Sequence, residues 1–217
     1  MLKLYSKNED NAKFKTEYEA LCKQLVVYIN NIDYQDINKN SKAYEVLTNL
    51  SSTKNNIILD FNYTAQQADI KAMWATDEDI DNRLIKVHGE ASNNDIIFGV
   101  EDNHGNKKEH CFCVTYNIKY KALNFSELYD RIKSVAIFGH SLGETDHTYF
   151  NKLFQESCMY NKFSTNNNKE FWLFYYKENG YHCMMQQLDS LTHNSLTSFR
   201  QYNRVNFINT DKEKVFI

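Results

Sequence analysis

The sequence predicts an α/β protein in which a parallel sheet is flanked by helices. Short apolar, β-branched runs recur along the chain and are typical of buried parallel strands. Segments with helical periodicity alternate with these runs, which implies right-handed crossovers within a parallel sheet. Several runs end in polar or glycine-containing turns, and sheets of this kind bind ligands beyond the carboxyl ends of their strands. The runs that we predict to be strands lie at 57–61, 84–87, 95–100, 134–138 and 170–176.

The remaining elements follow from periodicity. A first helix at 8–31 is predicted because apolar residues recur at spacings of three and four, and Ser41 is a suitable N-cap for the second. The apolar side of the first helix comprises Phe14, Tyr18, Leu21, Cys22, Leu25, Val26 and Ile29. Further helices are predicted at 41–50, 65–74, 125–133, 147–158 and through 184–191, with additional extended segments at 110–116 and 205–208.

Length and composition predict one globular domain over 1–217, with a helical part at 1–50 and a sheet-containing part at 56–210. The 217 residues are 42% hydrophobic and 24% charged, with a formal net charge of -3. This balance gives no basic footprint for nucleic acid. Five cysteines at irregular spacing do not form a secreted disulfide framework, and no segment approaches the ~20 apolar residues of a membrane helix. We therefore expect a cytoplasmic protein without membrane or nucleic-acid partners.

Three strand-end loops carry the candidate chemistry. Asn62 follows the first strand, and its amide can bind a ribose hydroxyl or cap the next helix. His88 follows the second strand, where an imidazole can act as a general base; Gly89 lets the chain turn and a ligand approach. Because parallel strands end at the same edge, we expect these loops and the Gly139 to Asp146 turn to share that edge.

The third loop, Gly139-His140-Ser141-Leu142-Gly143, admits two interpretations. As a strand–G-x-S-x-G–helix pattern it is a nucleophile elbow in which Ser141 attacks an acyl carbon. As a glycine turn before a helix it presents backbone N–H groups to a phosphate or ribose. Asp146 is expected to cap the next helix or to hold a ligand hydroxyl.

A metal site is not expected. His104, His110, Cys111 and Cys113 are close in sequence, but their order and spacing match no usual zinc pattern. Core or half-buried cysteines are the favoured interpretation.

The three loops, in their order, resemble those of the AbiH family of bacterial abortive-infection proteins. The segments that carry the resemblance are Phe61-Asn62-Tyr63-Thr64, Val87-His88-Gly89, Ile96-Ile97-Phe98-Gly99 and Phe138-Gly139-His140-Ser141-Leu142-Gly143 with Asp146. The ordered set covers about residues 57–158. It implies a role in anti-phage defence, in which infection triggers the protein and its activity stops the host cell.

The AbiH family is in turn distantly similar to sirtuin-like NAD-binding domains, which implies a Rossmann-like sheet with NAD or a related nucleotide as ligand or substrate. By this similarity Asn62 matches the asparagine of the sirtuin Asn-x-Asp segment, with Thr64 in place of the aspartate. His88 matches the catalytic base of the His-Gly pair. Gly139, His140 and Ser141 match the Gly-x-Ser turn that binds ribose, with Asp146 beside it.

The beginning of the chain departs from the family pattern. Relatives open with a strand and a Gly-Asn-Gly-Phe-Asp-like turn at the dinucleotide phosphates, whereas no glycine here precedes Gly89. The parallel sheet is therefore expected to be incomplete at the N-terminus. We expect a short, divergent member, a fragment of a split or frameshifted gene, or a subunit whose missing strand a partner chain supplies. The sheet edge exposed by the missing strand favours a homo-oligomer or instability.

Three functions remain open from the sequence. The first is an AbiH-like defence protein that binds or hydrolyses NAD or a related nucleotide, with His88 and Asn62 as catalytic residues. The second is a serine hydrolase built on Ser141. The third is a non-catalytic nucleotide sensor or assembly subunit that uses the same loops.

Overall fold

The computed structural model describes residues 8–32, 38–51, 56–64, 84–96, 129, 131–159 and 169–212. Every strand pair within these residues is parallel, and helices flank the sheets. The predicted α/β class is confirmed. The chain divides into two compact units. The first comprises Met1–Lys39, Leu50–Val100 and His104–Tyr120, and the second comprises Asn40–Asn49, Glu101–Asn103 and Lys121–Ile217. The assignment of one domain stays a prediction.

The first unit contains helix α1 (Asn8–Asn30), strands β1 (Ile58–Asp60) and β2 (Leu84–Lys86), and a short 3-10 helix, Ala91–Asn93. Buried Val26 and Ile29 of α1 form a cluster with Ala91 and Ile96. Their spacing of three places both α1 residues on one side of the helix. Leu21 was predicted to belong to this side, but its side chain is 55% exposed, so the buried stripe is narrower than the sequence suggested.

Strands β1 and β2 pair in parallel with Ile58 opposite Leu84 and Asp60 opposite Lys86. The pairing continues into the following turn, where Val87 N donates to Asp60 O at 2.9 Å. Both strands therefore end at the same edge, as predicted. The third predicted strand is not supported at its start, because Asp95 and Ile96 are irregular; its residues 97–100 lie outside the described part.

Helix α2 (Lys42–Ser51) begins directly after Ser41. The Ser41 Oγ accepts a hydrogen bond from Tyr44 N at 3.1 Å. This bond satisfies one of the N–H groups that the first helical turn leaves unpaired. The predicted N-cap is confirmed.

The second unit contains a parallel sheet in the order β3-β4-β5, formed by Ser134–Ile137, Glu170–Tyr175 and Arg204–Asn209. Helix α3 (His147–Ser157) lies between β3 and β4 in the chain. Helices α4 (Lys177–Leu191) and α5 (Leu196–Tyr202) lie between β4 and β5. The sequence analysis did not predict α5, because seven residues with Phe199 as the buried residue are too few to reveal a period.

Three phenylalanines hold helices α3 and α5 against strand β4. Phe154, Phe171 and Phe199 have no exposed side-chain surface. The ring centroids of Phe154 and Phe171 are 5.5 Å apart, and those of Phe171 and Phe199 are 4.7 Å apart. Aromatic pairs at such distances add to the free energy of burying the rings. The cluster therefore fixes the helical layer of the second unit.

Several predicted elements lie outside the described residues. These are the helix at 65–74, the extended segment at 110–116 and most of the helix at 125–133, of which Tyr129 and Arg131 are helical. The four residues weighed as metal ligands, at positions 104, 110, 111 and 113, also lie there.

Three cysteines have described side chains, and they differ in burial. Partial burial raises the pKa of the Cys22 and Cys158 thiols above the ordinary value, whereas Cys183 is exposed. The thiolate is the reactive form, so a raised pKa and burial both slow alkylation.

We therefore expect iodoacetamide at pH 8 to modify Cys183 of the native protein faster than Cys22 or Cys158. Peptide mass spectrometry after timed quenching measures the three rates. Equal rates in the native protein would contradict the assigned burial, and equal rates after urea denaturation are the control.

Candidate functional site

The first strand-end loop is organised by Asp60, the last residue of β1. Its Oδ1 accepts hydrogen bonds from the backbone N of Asn62 at 2.9 Å and from Asn62 Nδ2 at 3.0 Å. These two bonds fix both the main chain and the side chain of Asn62. The Asn62 side chain is exposed, and among the described residues no donor bonds its Oδ1. This carbonyl oxygen is oriented to accept a hydrogen bond from a ligand.

Lys86, the last residue of β2, extends this arrangement. Its Nζ lies 2.7 Å from Asp60 Oδ2, 3.2 Å from Asn62 O and 2.5 Å from Thr64 O. An ammonium group has three N–H donors, so these acceptors satisfy it completely. The side chains of Lys86 and Asp60 are 8% and 12% exposed. The ion pair is thus largely buried, and it ties the loop after β1 to the end of β2.

The second loop places His88 beside the first. The His88 ring centroid lies 5.5 Å from that of Phe61 in an edge-to-face arrangement and 6.2 Å from that of Tyr63. Ala91 N donates to Tyr63 O at 2.8 Å. The segment after β2 is therefore joined to the segment after β1 by both ring packing and a backbone bond. Asn62 and His88 lie at the same edge of the β1–β2 pair, as the sequence predicted.

Gly89 is required by its surroundings. Its φ is +80°, and a Cβ added there would lie 2.3 Å from Asp95 O and 2.9 Å from Asp95 Oδ1. A side chain would therefore meet both a conformational penalty and a backbone clash. The close approach lets Asp95 Oδ1 accept a hydrogen bond from Glu90 N at 2.8 Å.

Glu90 is a residue that the sequence analysis did not single out. Its side chain is 6% exposed, and Oε1 accepts a hydrogen bond from Ser92 Oγ. Its Oε2 is buried and has no hydrogen-bond donor among the residues that the structure describes. A buried acceptor without a donor costs about 1–3 kcal/mol. The carboxylate follows His88-Gly89 directly, so this cost falls next to the predicted base.

The third loop, Gly139 to Asp146, belongs to the second unit and follows β3. His140 organises it: Nδ1 accepts a hydrogen bond from Leu142 N at 2.9 Å, and Nε2 lies 3.2 Å from Asp146 Oδ2. Asp146 occupies the N-cap position of α3 but makes no side-chain capping bond. The prediction that it caps this helix is wrong, because its carboxylate turns to His140 instead.

A second histidine holds the same loop from the helical side. His147 Nε2 lies 3.0 Å from Leu142 O and 2.9 Å from Gln187 Oε1 of α4. Leu142 itself is fully buried with a φ of +55°. Two imidazoles thus bond the backbone N–H and the carbonyl of one residue, and they hold it in a conformation that a leucine seldom adopts.

Ser141 is exposed, and the geometry around it argues against a nucleophile elbow. In such an elbow the nucleophile itself has the strained backbone conformation, whereas here the residues with positive φ are Gly139 and Leu142. His140 and His147 both bond the Leu142 backbone. Within the described residues, neither makes a hydrogen bond to Ser141.

The sequence-predicted residues therefore fall into two groups. Asn62, Thr64 and His88 are brought together in the first unit, and Gly139, His140, Ser141 and Asp146 in the second. Sequence reasoning missed the residues that hold these loops: Asp60, Lys86, Glu90, His147 and Gln187. Two of them could have been recognised in the sequence, because Asp60 and Lys86 are residues of opposite charge within otherwise apolar strands.

Neither a metal cluster nor a membrane span occurs in the part of the chain that the structure describes. No three His, Cys, Asp or Glu side chains within it converge on a common point. None of the helices in those ranges is long and apolar enough to cross a bilayer.

Parallel strands flanked by helices place this protein in the Rossmann-like α/β class. Comparison with protein families makes this specific: residues 2–168 match the family described as "Bacteriophage abortive infection AbiH". The chain belongs to the AbiH family. Neither the curated proteins nor the solved structures contain a match to it.

The contacts of Gly89 and Gly139 predict different outcomes for the same substitution. Both residues have positive φ, but a Cβ on Gly139 meets nothing within 4 Å. We expect Gly139→Ala to cost roughly 1–2 kcal/mol of stability from backbone strain alone. Gly89→Ala adds a backbone clash and should cost about 4 kcal/mol or more. Thermal unfolding followed by circular dichroism compares the two, and equal losses would refute the close packing of Asp95.

Replacement of Lys86 by methionine leaves the Asp60 carboxylate buried without its cation. We expect a loss of about 3–5 kcal/mol, the range observed when one partner of a buried pair is removed. The matched control is Lys13→Met, because Lys13 forms an exposed 3.9 Å pair with Glu17. Exposed pairs contribute about 0–1 kcal/mol. Urea denaturation of both variants measures the difference, and similar midpoints would argue against a structural role for Lys86.

Proposed function

We propose that this AbiH protein acts in abortive infection by binding NAD, or a related nucleotide, at the Asn62 and His88 loops and hydrolysing its N-glycosidic bond. The observation that carries the proposal is the juxtaposition of these two loops at the carboxyl ends of adjacent parallel strands. An amide and an imidazole there are suited to positioning water and accepting a proton.

Asn62 supports the proposal through the way it is held. Asn62 Nδ2 donates to Asp60, and the backbone carbonyl of Asn62 accepts from Lys86. The side-chain Oδ1 has no donor among the described residues. A carbonyl oxygen accepts hydrogen bonds from water or from a ribose hydroxyl. Because the loop is already ordered, little entropy is lost when the ligand binds.

His88 is the proposed general base. Water attacks the anomeric carbon of the nicotinamide ribose while the bond to the nicotinamide nitrogen breaks. The electron pair of that bond leaves with nicotinamide, which departs neutral, and the proton of the attacking water passes to the His88 imidazole. The products are nicotinamide, ADP-ribose and a proton, so atoms and charge balance.

The Gly139 to Asp146 turn of the second unit is, taken by itself, a further proposed ribose-binding element. The resemblance to the Gly-x-Ser turn assigns Ser141 and Asp146 to ribose hydroxyls. Ser141 is exposed, which suits this role, whereas Asp146 is 3.2 Å from His140 Nε2 and must share its carboxylate with that ring. Ser141→Ala therefore tests the turn more directly than a change at Asp146.

The test is thermal shift of the purified protein with millimolar NAD, followed by assay of released nicotinamide in the same samples. We expect NAD to raise the melting temperature, because a ligand stabilises the state that binds it. His88→Ala should retain the shift and lose release by about 100-fold or more, the usual contribution of a positioned base. Asn62→Ala should reduce both. The matched control is His182→Ala, because His182 is an exposed histidine on α4.

The outcomes separate the competing functions. A thermal shift without nicotinamide release identifies a sensor. Absence of a shift in a folded sample rejects the nucleotide site. Labelling of Ser141 by an activated phosphonate, with loss of activity in Ser141→Ala, would support the hydrolase. Full toxicity and phage protection by His88→Ala in cells would also reject the proposed catalysis.

A further inference from the structure

An open cavity, which the proposed function does not use, lies at the carboxyl ends of β4 and β5. Its volume is about 310 Å³, at the lower end of the range for small-molecule sites. It lies beyond the carboxyl ends of parallel strands, where sheets of this class bind ligands. All of its lining residues follow position 168, so they lie outside the segment that matches the family.

The segment from Asn209 to Lys212, which lines the cavity, is hydrogen-bonded to the end of β4. Thr210 N and Thr210 Oγ1 both donate to Tyr175 O, at 2.9 Å and 3.0 Å. Asp211 N donates to Asn209 Oδ1 at 3.0 Å. These bonds hold the turn from Asn209 to Lys212 in place, so the walls of the cavity exist without a ligand.

Asn209 indicates that the cavity accommodates a polar ligand. Its side chain is 9% exposed and lines the cavity. Its Oδ1 is used by Asp211 N, but no acceptor for its Nδ2 occurs among the described residues. The residue is largely buried, but the Nδ2 atom itself is not fully enclosed and is reachable from the cavity. A ligand oxygen at the cavity would pair with it.

The charges around the cavity are of both signs and suit a ligand that carries a phosphate together with hydroxyl groups. Lys177 and Lys212 line it, and α4 starts there at Lys177 without a side-chain cap, so its first N–H groups are available. Lys177 has a φ of +56°, and strained residues of this kind cluster at ligand sites. Asp211 and Glu178 also line the cavity. Their carboxylates would repel a bare anion but accept hydrogen bonds from hydroxyl groups.

The remaining wall is aromatic. The ring centroids of Tyr175 and Tyr181 are 5.2 Å apart, and Tyr181 packs at 5.4 Å from Phe207. Both tyrosine side chains line the cavity. We infer that this cavity is a second binding site, and that it takes a phosphorylated ligand no larger than one nucleotide. The phosphate of this ligand contacts Lys177, Lys212 and the start of α4. Its hydroxyl groups bond to the two carboxylates, and its ring packs on the two tyrosines.

The test uses AMP as the probe, in isothermal titration of the double variant Asn62→Ala/His88→Ala, so that the NAD site is disabled. We expect AMP to bind this variant, adenosine to bind at least about tenfold more weakly, and inorganic phosphate to compete with AMP. Lys212→Glu in the same background should weaken AMP about tenfold. The matched control is Lys133→Glu, an exposed lysine before β3 and hence at the opposite edge of the same sheet.

The titrations give outcomes that either support or overturn the second site. AMP binding that is lost with Lys212→Glu and kept with Lys133→Glu supports the site, whatever NAD does at the Asn62 loop. No AMP binding at millimolar concentration by the folded double variant overturns it. So does equal binding of adenosine and AMP, or equal weakening by Lys212→Glu and Lys133→Glu.

Discussion

The buried pair between Lys86 and Asp60 is the interaction on which the first unit depends. It connects the last residues of two parallel strands, and it requires Asp60 and Lys86 to be opposite each other in register. A shift of one residue would turn Lys86 to the other face of the sheet and leave both charges unpaired. The same ammonium bonds Asn62 O and Thr64 O, so the strand register also determines the path of the loop. Fold and candidate site are therefore specified by one side chain.

In the second unit, side chains of other types hold the loops at the ends of the strands. Where strands end, the backbone loses its ladder partners, and side chains must satisfy the exposed N–H and C=O groups. His140 and His147 bond the Leu142 backbone in the Gly139 turn. At the opposite end of the sheet, buried Lys169 bonds the carbonyl groups of Tyr129 and Ile132 at 3.0 Å and 2.8 Å. Imidazole rings and a lysine ammonium group thus both hold loops that lie outside the backbone ladder of the sheet.

Elements that depend on local sequence patterns were predicted, whereas contacts between residues distant in sequence were not. Local periodicity was enough for α1, α2 and the three strands of the second unit, and the glycine and polar turns marked the ends of β1, β2 and β3. Helix α5 was too short to show a period. The contacts that hold the loops were invisible because they join distant residues: Lys86 to Thr64 across 22 positions and His147 to Gln187 across 40. The bond between Asp146 and His140 was not predicted either, because it depends on the conformation of the turn rather than on a local sequence pattern.

The division between the family segment and the rest of the chain bears on how the Gly139 turn is maintained. The AbiH match ends at residue 168, yet β3, which precedes the turn, pairs along its whole length with β4. The partner of His147 on the helical side is Gln187, which also lies beyond the match. The conformation of a turn inside the matched segment is thus stabilised by residues that lie beyond that segment. Gln187 of α4 reaches Leu142 through His147, which bonds both, so the packing of α4 and the backbone of the turn depend on the same imidazole.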